Sequence, residues 1–205
     1  MSGPRRTPAQ VWREMSRGNG RFVAGAPLHP RQDVDRRAEL TGGQAPHAAL
    51  LGCSDSRLAA EIIFDKGLGD LFVVRNAGQV VSASVIASLE YAVAVLDVPL
   101  ILVLAHDACG AVQAAIDAER PDSPPLPPHI AAHIAPIRPA VRAVGPDPDS
   151  VGLRHLEQTV AGLLEGSEII ADAVAAGTLA VVGATYRLAE GRVDPAVVVG
   201  SIEPS

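Results

Sequence analysis

The sequence predicts an α/β fold in which a central, mainly parallel β-sheet is flanked by helices and preceded by an N-terminal helical arm. Apolar residues make up 48% of the chain but aromatic residues only 3%, so aliphatic side chains must form the core. Short, wholly apolar runs alternate with alanine-rich stretches of helical length, which is typical of strands buried on both faces. The length of 205 residues fits a single domain with a substantial core.

The N-terminal part predicts two helices that precede the sheet. Residues 8–24 form an amphipathic pattern whose apolar stripe contains Val11, Trp12, Met15 and Phe22. A shorter helix is predicted at 33–40 and is ended by the glycine pair Gly42-Gly43. We expect 1–45 to form a helical arm and 46–205 to form the α/β domain. The arm either folds back on its own domain or packs on a partner subunit.

The middle of the chain contains three apolar, strand-like runs separated by helical segments. Runs of this kind, bounded by glycine or polar residues and alternating with helices, are typical of parallel strands in an α/β unit. The predicted strands are 48–51, which ends at Gly52, 71–74 and 100–104, and the predicted helices are 59–64, 82–96 and 109–119.

The C-terminal part begins with a proline-rich break at 121–128, which can continue neither a helix nor a sheet. Two helical stretches are predicted after it, at 129–144 and 150–175. A further strand at 179–186 and an edge element at 193–199 complete the expected order of elements.

Composition and charge exclude several classes of partner. The net charge is −6, and no cluster of basic residues suggests binding to nucleic acid or to an anionic membrane. The longest apolar stretch, 98–105, is much shorter than a membrane span, and no secretory signal is recognisable. We therefore expect a cytoplasmic protein without nucleic-acid or membrane partners. In that compartment the two cysteines favour a metal or catalytic role over a structural disulfide.

Two polar motifs directly follow predicted strands. Cys53 begins the first, Cys-Ser-Asp-Ser-Arg, and His106 begins the second, His-Asp-Ala-Cys-Gly. Ligand sites in open α/β sheets gather at the carboxyl ends of strands, so the two motifs converge if their strands are neighbours. Cys53, His106 and Cys109 would then offer two thiolates and an imidazole, a donor set that zinc binds tetrahedrally. Because three protein ligands leave a fourth position open, we predict a catalytic site with one Zn²⁺ per subunit.

Asp55 and Arg57 lie two and four residues after the first predicted ligand. A carboxylate beside the metal can accept the proton of a zinc-bound hydroxide and orient its lone pair towards a substrate. Arg57 would keep Asp55 ionised through a charge-assisted pair. Without Arg57, Asp55 could become a fourth zinc ligand, which would give the site a closed state.

The two motifs together resemble the signature of the β-class carbonic anhydrases. That signature is Cys-x-Asp-x-Arg, followed at a distance by His-x-x-Cys-Gly. The run from Gly69 to Gly78 and the pair Glu90-Tyr91 are also similar to the stretches that the family carries between the motifs. The resemblance covers roughly residues 10–190.

The resemblance implies an enzyme, a lyase that reversibly hydrates carbon dioxide to bicarbonate and a proton, with zinc hydroxide as the nucleophile. It implies that Cys53, His106 and Cys109 are the zinc ligands and that Asp55 and Arg57 form a catalytic dyad. It also implies a homodimer that exchanges N-terminal helices, often paired into a homotetramer, with active sites near the dimer interface. The substrate pocket implied by the resemblance consists of Gln44, Phe72, Ala77, Tyr91 and Gly110.

Two alternatives remain beside carbon dioxide hydration. The same fold and ligands would serve a zinc hydrolase of a related small substrate, such as carbon disulfide or carbonyl sulfide. A protein of another class, in which Cys53 and Cys109 form a reversible disulfide or only store zinc, would need no catalytic dyad. Substitution of Asp55 or Arg57 by alanine would distinguish that class, because it would leave such a protein unchanged.

Overall fold

The sheet has five strands in the order β2-β1-β3-β4-β5. The computed structural model describes residues 6–203, so the ends of the predicted arm and domain, 1–5 and 204–205, lie outside it. Four strands are parallel and the last is antiparallel to its neighbour, which confirms the predicted mainly parallel sheet. The strands are β1 (Ala48–Cys53), β2 (Leu71–Asn76), β3 (Leu100–His106), β4 (Ala180–Arg187) and β5 (Arg192–Val199).

Helices cover both faces of this sheet, as the apolar strands required. They are α1 (Pro8–Val23), α2 (Val34–Glu39), α3 (Ala60–Ile63), α4 (Ala83–Ala94), α5 (Gly110–Ala118), α6 (Pro128–Ile134), α7 (Arg138–Val144), α8 (Pro148–Gly166) and α9 (Glu168–Ala175). None of the helices within the described residues is long and apolar enough to cross a membrane.

The core consists of two layers that the sheet separates. Alternate residues of a strand point to opposite faces, so Leu102 and Leu104 of β3 pack in one layer while Ile101 and Val103 pack in the other. All seven residues of β3 are buried, because the strand lies in the middle of the sheet. Strand β3 is therefore the rigid element from which the residues after it project.

The two predicted C-terminal helical stretches are each divided, so their prediction as continuous helices was wrong. The stretch 129–144 breaks into α6 and α7 around a 3₁₀ turn at Ala135–Ile137. Pro136 and Pro139 lack the N–H groups that a continuous helix needs there. The stretch 150–175 breaks at Ser167, whose backbone is extended and whose hydroxyl accepts a hydrogen bond from Ile170 N–H to begin α9.

The N-terminal helix α1 lies on the body of its own chain. Val11 and Met15 are fully buried in the core. The Asn19 amide donates hydrogen bonds to Ile63 O (3.2 Å) and Gly191 O (2.8 Å) and thus links α1 to α3 and to the β4–β5 turn. Of the two arrangements open from the sequence, the fold thus shows the folded-back one within a single chain. The division into an arm and a domain stays a prediction.

Candidate metal centre

The carboxyl ends of β1 and β3 meet because the two strands are neighbours in the sheet. Cys53 is the last residue of β1 and His106 is the last residue of β3. Cys109 follows after a short turn and is the N-cap of α5. The turn depends on Ala108, which adopts the left-handed conformation with φ of 49°. The sheet topology therefore brings both motifs to one place, as their strand-end positions predicted.

Three potential metal ligands cluster at this edge. The donor atoms of Cys53, His106 and Cys109 all lie within 4.8 Å of one another, and the three residues are buried. Zinc bonds of about 2.3 Å to sulfur and 2.0–2.1 Å to nitrogen place tetrahedral donors about 3.5–3.8 Å apart. The observed distances between the donor atoms, within 4.8 Å, are comparable to these values, so a zinc ion fits the donor set.

The His106 ring is oriented for coordination through Nε2. Its Nδ1–H donates a hydrogen bond to the Asp107 backbone oxygen at 2.8 Å, which fixes the tautomer. Nε2 is buried and has no hydrogen-bond partner among the described residues. Since buried nitrogen atoms normally have a partner, this free Nε2 is the observation that most directly indicates a missing ligand.

The two sulfur atoms interact closely enough to alter their protonation. A hydrogen bond from the Cys109 thiol is the main cause that lowers the pKa of Cys53, and the neighbouring His106 ring and the N–H of Gly78 lower it further. The same hydrogen bond, together with burial, raises the pKa of Cys109.

Asp55 and Arg57 form a bidentate ion pair beside the cluster. Arg57 Nε donates to Asp55 Oδ1 at 2.9 Å, and Arg57 Nη2 donates to Oδ2 at 2.7 Å. The pair, led by the Arg57 hydrogen bonds, holds the pKa of Asp55 well below its usual range. Asp55 Oδ2 also lies 3.9 Å from His106 Nε2, so an ionised carboxylate faces the region where the free nitrogen points.

Arg75, near the end of β2, and Gly78, just after it, support the first motif, and sequence reasoning did not assign them a role. Arg75 donates to the backbone oxygens of Cys53 (3.0 Å) and Asp55 (2.7 Å), so it holds both ends of the turn that carries these side chains. Gly78 N–H donates to Cys53 Sγ at 3.2 Å. Both belong to the run quoted for the family resemblance, and their position at the end of the strand next to β1 was the available signal.

Two of the predicted pocket residues border the cluster. Ala77 is exposed and directly precedes Gly78. Gly110 directly follows Cys109, and a Cβ built on it would meet no atom within 4 Å. Ala77 and Gly110 are thus exposed residues that adjoin Gly78 and Cys109 in the chain.

Comparison with known proteins identifies the family. A family model described as carbonic anhydrase matches residues 48–193. A solved β-carbonic anhydrase from Coccomyxa superposes with a TM-score of 0.70 at 28% identity, covering 80% of this chain and 78% of that one. The chain belongs to the β-class carbonic anhydrase family. The predicted family, fold class and enzyme class are therefore confirmed.

Carbonic anhydrases from mycobacteria are the more similar curated relatives. Carbonic anhydrase 2 of Mycobacterium tuberculosis is 48% identical over 193 residues, which cover 92% of this chain and 93% of the relative. The carbonic anhydrase of Mycolicibacterium smegmatis is 49% identical over 196 residues, which cover 93% and 94%. A tetrameric β-carbonic anhydrase from Sordaria macrospora superposes with a TM-score of 0.68 at 28% identity, over 78% of this chain and 84% of that one.

The other three predicted pocket residues do not reach the cluster within one chain. Gln44 lies in the loop that leads into the amino end of β1, whereas Cys53 ends that strand. Phe72 pairs with Ala49, four residues before the level of Cys53, which corresponds to about 13 Å along the strand. Tyr91 lies on α4 with its ring centroid 6.1 Å from that of Phe72. These residues therefore lie towards the opposite end of the sheet.

Proposed function

We propose that this chain catalyses the zinc-dependent, reversible hydration of carbon dioxide to bicarbonate and a proton. One Zn²⁺ per subunit would be held by Cys53, His106 and Cys109. The observation that carries the proposal is the buried His106 Nε2, which has no partner among the described residues and lies within 4.8 Å of two sulfur atoms. The identity to curated carbonic anhydrases over more than nine-tenths of the chain supports the reaction.

Zinc bound there would supply a Lewis acid that makes water nucleophilic near neutral pH. The side chains of the protein would orient the reactants. Asp55 Oδ2, 3.9 Å from His106 Nε2, is ionised and can accept a hydrogen bond from the attacking water. Arg57 keeps this carboxylate in place with two side-chain hydrogen bonds and is itself fixed by the Ala108 backbone oxygen at 3.3 Å. Asp55 and Arg57 therefore act as the catalytic dyad.

The same pair would control a closed state. Both carboxylate oxygens of Asp55 are bonded to Arg57, and these bonds direct Asp55 away from coordinating the metal. Release of Arg57, whose side chain is half exposed, would free an anionic oxygen close enough to become a fourth ligand. The Asp55–Arg57 ion pair thus represents the open arrangement, in which substrate has access.

A second copy of the chain would complete the substrate pocket. Gln44, Phe72 and Tyr91 cannot reach the cluster of their own chain, and Tyr91 is 45% exposed. They lie near β2, an edge strand with no neighbour on its outer side among the described residues. Self-association as a dimer or tetramer along this edge would bring the three residues to the partner's cluster, as would suit a family that includes a tetrameric relative.

The free cysteines support a reducing location. Cys53 and Cys109 are buried and unlinked, and thiolate ligands for zinc persist best where disulfides do not form. We therefore propose the cytoplasm as the site of action.

Metal analysis combined with a stopped-flow hydration assay tests the proposal. We expect about one zinc per chain in the reduced wild-type protein, and a loss of at least about 100-fold in hydration rate for Cys109→Ser, because serine is a poor zinc ligand. His129→Ala, which removes an exposed histidine of α6, is the matched control and should retain zinc and activity. A reduced wild-type protein that binds no zinc, or that releases sulfide from carbonyl sulfide but does not hydrate carbon dioxide, would contradict the proposal.

A further inference from the structure

The loop 76–80, between β2 and α4, is held in a constrained conformation. Asn76 donates to Val80 O and accepts from Val80 N–H, both at 2.7 Å, which closes the loop. Inside it, Gly78 and Gln79 both adopt left-handed backbone conformations, with φ of 77° and 43°. A Cβ at Gly78 would lie 2.8 Å from that of Ala111, so only glycine fits there.

The constrained loop directs one backbone group at a predicted metal ligand. The Gly78 N–H donates to Cys53 Sγ at 3.2 Å. On the other side of the same residue, the Gly78 carbonyl accepts a hydrogen bond from His155 Nε2 at 2.8 Å. His133 makes the equivalent bond to the preceding carbonyl, that of Ala77, also at 2.8 Å. Two histidines from α6 and α8 therefore hold consecutive carbonyls of this loop.

The environment of His155 favours a neutral ring in which Nε2 is the hydrogen-bond donor. It is only 3% exposed, and burial lowers its pKa, so the ring is neutral. Since a carbonyl can only accept, Nε2 carries the hydrogen, and Nδ1 is left buried without a partner among residues 6–203. An unpartnered buried nitrogen is unfavourable, because it has lost its hydrogen bond to water. Within the described part of the chain, the bond to Gly78 is the only hydrogen bond of the ring.

We propose that His155 is a positioning residue for the metal centre, because it fixes Gly78 so that the Gly78 N–H stays directed at Cys53 Sγ. This inference rests on the proposed function, since it takes Cys53 as a metal ligand. His155 touches neither metal nor substrate. Its contribution is to orient the sulfur through one peptide unit, and outer-shell contacts of this kind commonly change metal affinity by about 10–100-fold.

The variants His155→Met and His155→Gln separate hydrogen bonding from packing. Both replacements are flexible and similar in length, but only glutamine can donate to the Gly78 carbonyl. Thr159→Val is the control: Thr159 is buried one turn later on α8, and its hydroxyl bonds only the carbonyl of His155, not the loop. It should leave the loop and the metal affinity unchanged.

The first readout is the hydrogen-exchange rate of the Gly78 amide, which NMR measures in protein isotopically labelled at the glycine nitrogen. We expect the Gly78 amide to be strongly protected from exchange in the wild-type protein. Its protection factor should fall at least about 10-fold in His155→Met and be largely restored in His155→Gln. A Gly78 amide that exchanges freely in the wild-type protein overturns the inference without any variant, so the test survives if His155→Met does not fold.

The second readout is zinc affinity, measured by competition with a chelator. We expect the dissociation constant to rise about 10–100-fold in His155→Met and to stay near the wild-type value in His155→Gln and Thr159→Val. Unchanged affinity in a folded His155→Met protein overturns the inference. The two proposals can fail separately. If the wild-type protein binds no zinc, but Gly78 protection is lost in His155→Met and kept in His155→Gln and Thr159→Val, the proposed function is contradicted and the link from His155 to Cys53 is supported.

Discussion

Two aspartate–arginine pairs lie at opposite ends of the sheet and share nearly the same geometry. At the carboxyl end Arg57 binds both oxygens of Asp55, and at the amino end Arg31 binds both oxygens of Asp70. Their surroundings differ. The Asp70 side chain is fully buried and also accepts from Gly67 N–H at 2.8 Å, whereas the Asp55 side chain is 17% exposed and faces the free nitrogen of His106.

Pairing geometry alone therefore does not distinguish a structural carboxylate from the one that we propose to be catalytic. The Asp70 carboxylate binds Arg31 of the N-terminal segment and the Gly67 N–H of the loop before β2, and it lies 4.0 Å from His47 Nε2. Asp55 keeps one direction open towards the predicted metal site. Loss of the Asp70 pair should therefore reduce stability, and loss of the Asp55 pair should reduce activity.

The largest expected effect is that of Asp55→Asn on hydration. The amide is neutral and cannot hold the attacking water as the carboxylate does, so we expect kcat/KM to fall roughly 100–1,000-fold, the scale of proton-transfer groups. The free energy of unfolding should change by less than about 1 kcal/mol, since the pair is partly exposed. Stopped-flow kinetics and urea unfolding on the same sample measure both. Activity within about threefold of wild type would remove Asp55 from the mechanism.

The next effect is a loss of stability in Arg31→Ala, with activity per folded molecule preserved. The substitution leaves the buried Asp70 charge with the Gly67 N–H, with His47 at 4.0 Å and with the charge of Lys66. Removal of one partner of a fully buried pair costs about 3–5 kcal/mol, and we expect about 2–3 kcal/mol here because the Arg31 side chain is 42% exposed. Urea unfolding measures the loss. Arg154→Ala, at an exposed ion pair on α8, is the matched control and should cost less than about 0.5 kcal/mol.

The smallest expected effect is a change in how stability depends on pH. Burial would raise the pKa of Asp70, but the Arg31 hydrogen bonds and the Gly67 N–H outweigh it and lower that pKa. A lowered pKa in the folded state gives stability that is present above the unfolded value of about 4 and is lost as the pH falls below it. The wild-type protein should therefore lose this contribution in acid.

In Arg31→Ala the opposing effect of burial remains, so the pKa of Asp70 should rise. The difference in unfolding free energy between wild type and variant should then narrow as the pH is lowered from about 6 to about 3. Urea unfolding at several pH values and a fixed protein concentration measures this trend. If the difference in unfolding free energy between wild type and variant stays constant over this pH range, Asp70 is not the group through which Arg31 stabilises the fold.

The donor atoms at the carboxyl end were predictable from the sequence for a clear reason. Cys53 and His106 each follow an apolar run, and parallel strands end at the same edge of a sheet. Only the order of the strands was open, and β1 and β3 are neighbours. The supporting contacts were not predictable, because His155 reaches Gly78 across 77 positions of sequence and its own surroundings on α8 look like ordinary helix.

The breaks in the C-terminal helices were predictable in part. Pro136 and Pro139 were visible in the sequence, and the lost backbone hydrogen bonds alone explain the turn between α6 and α7. The break at Ser167 has a local part, because the Ser167 hydroxyl caps α9 at Ile170 N–H. The same hydroxyl also donates to Glu90 on α4, and this contact between distant segments was not visible in the sequence.

The sequence by itself determined which residues are candidates for the chemistry, because residue types that bind metals and their positions at strand ends are local properties of the chain. Tertiary structure alone decided which of them meet. It placed Cys53, His106 and Cys109 together, separated Gln44, Phe72 and Tyr91 from them within one chain, and added His155 behind the site. The physical reason is that strand order and helix docking depend on how the two apolar layers pack on the sheet, and that packing couples residues far apart in sequence.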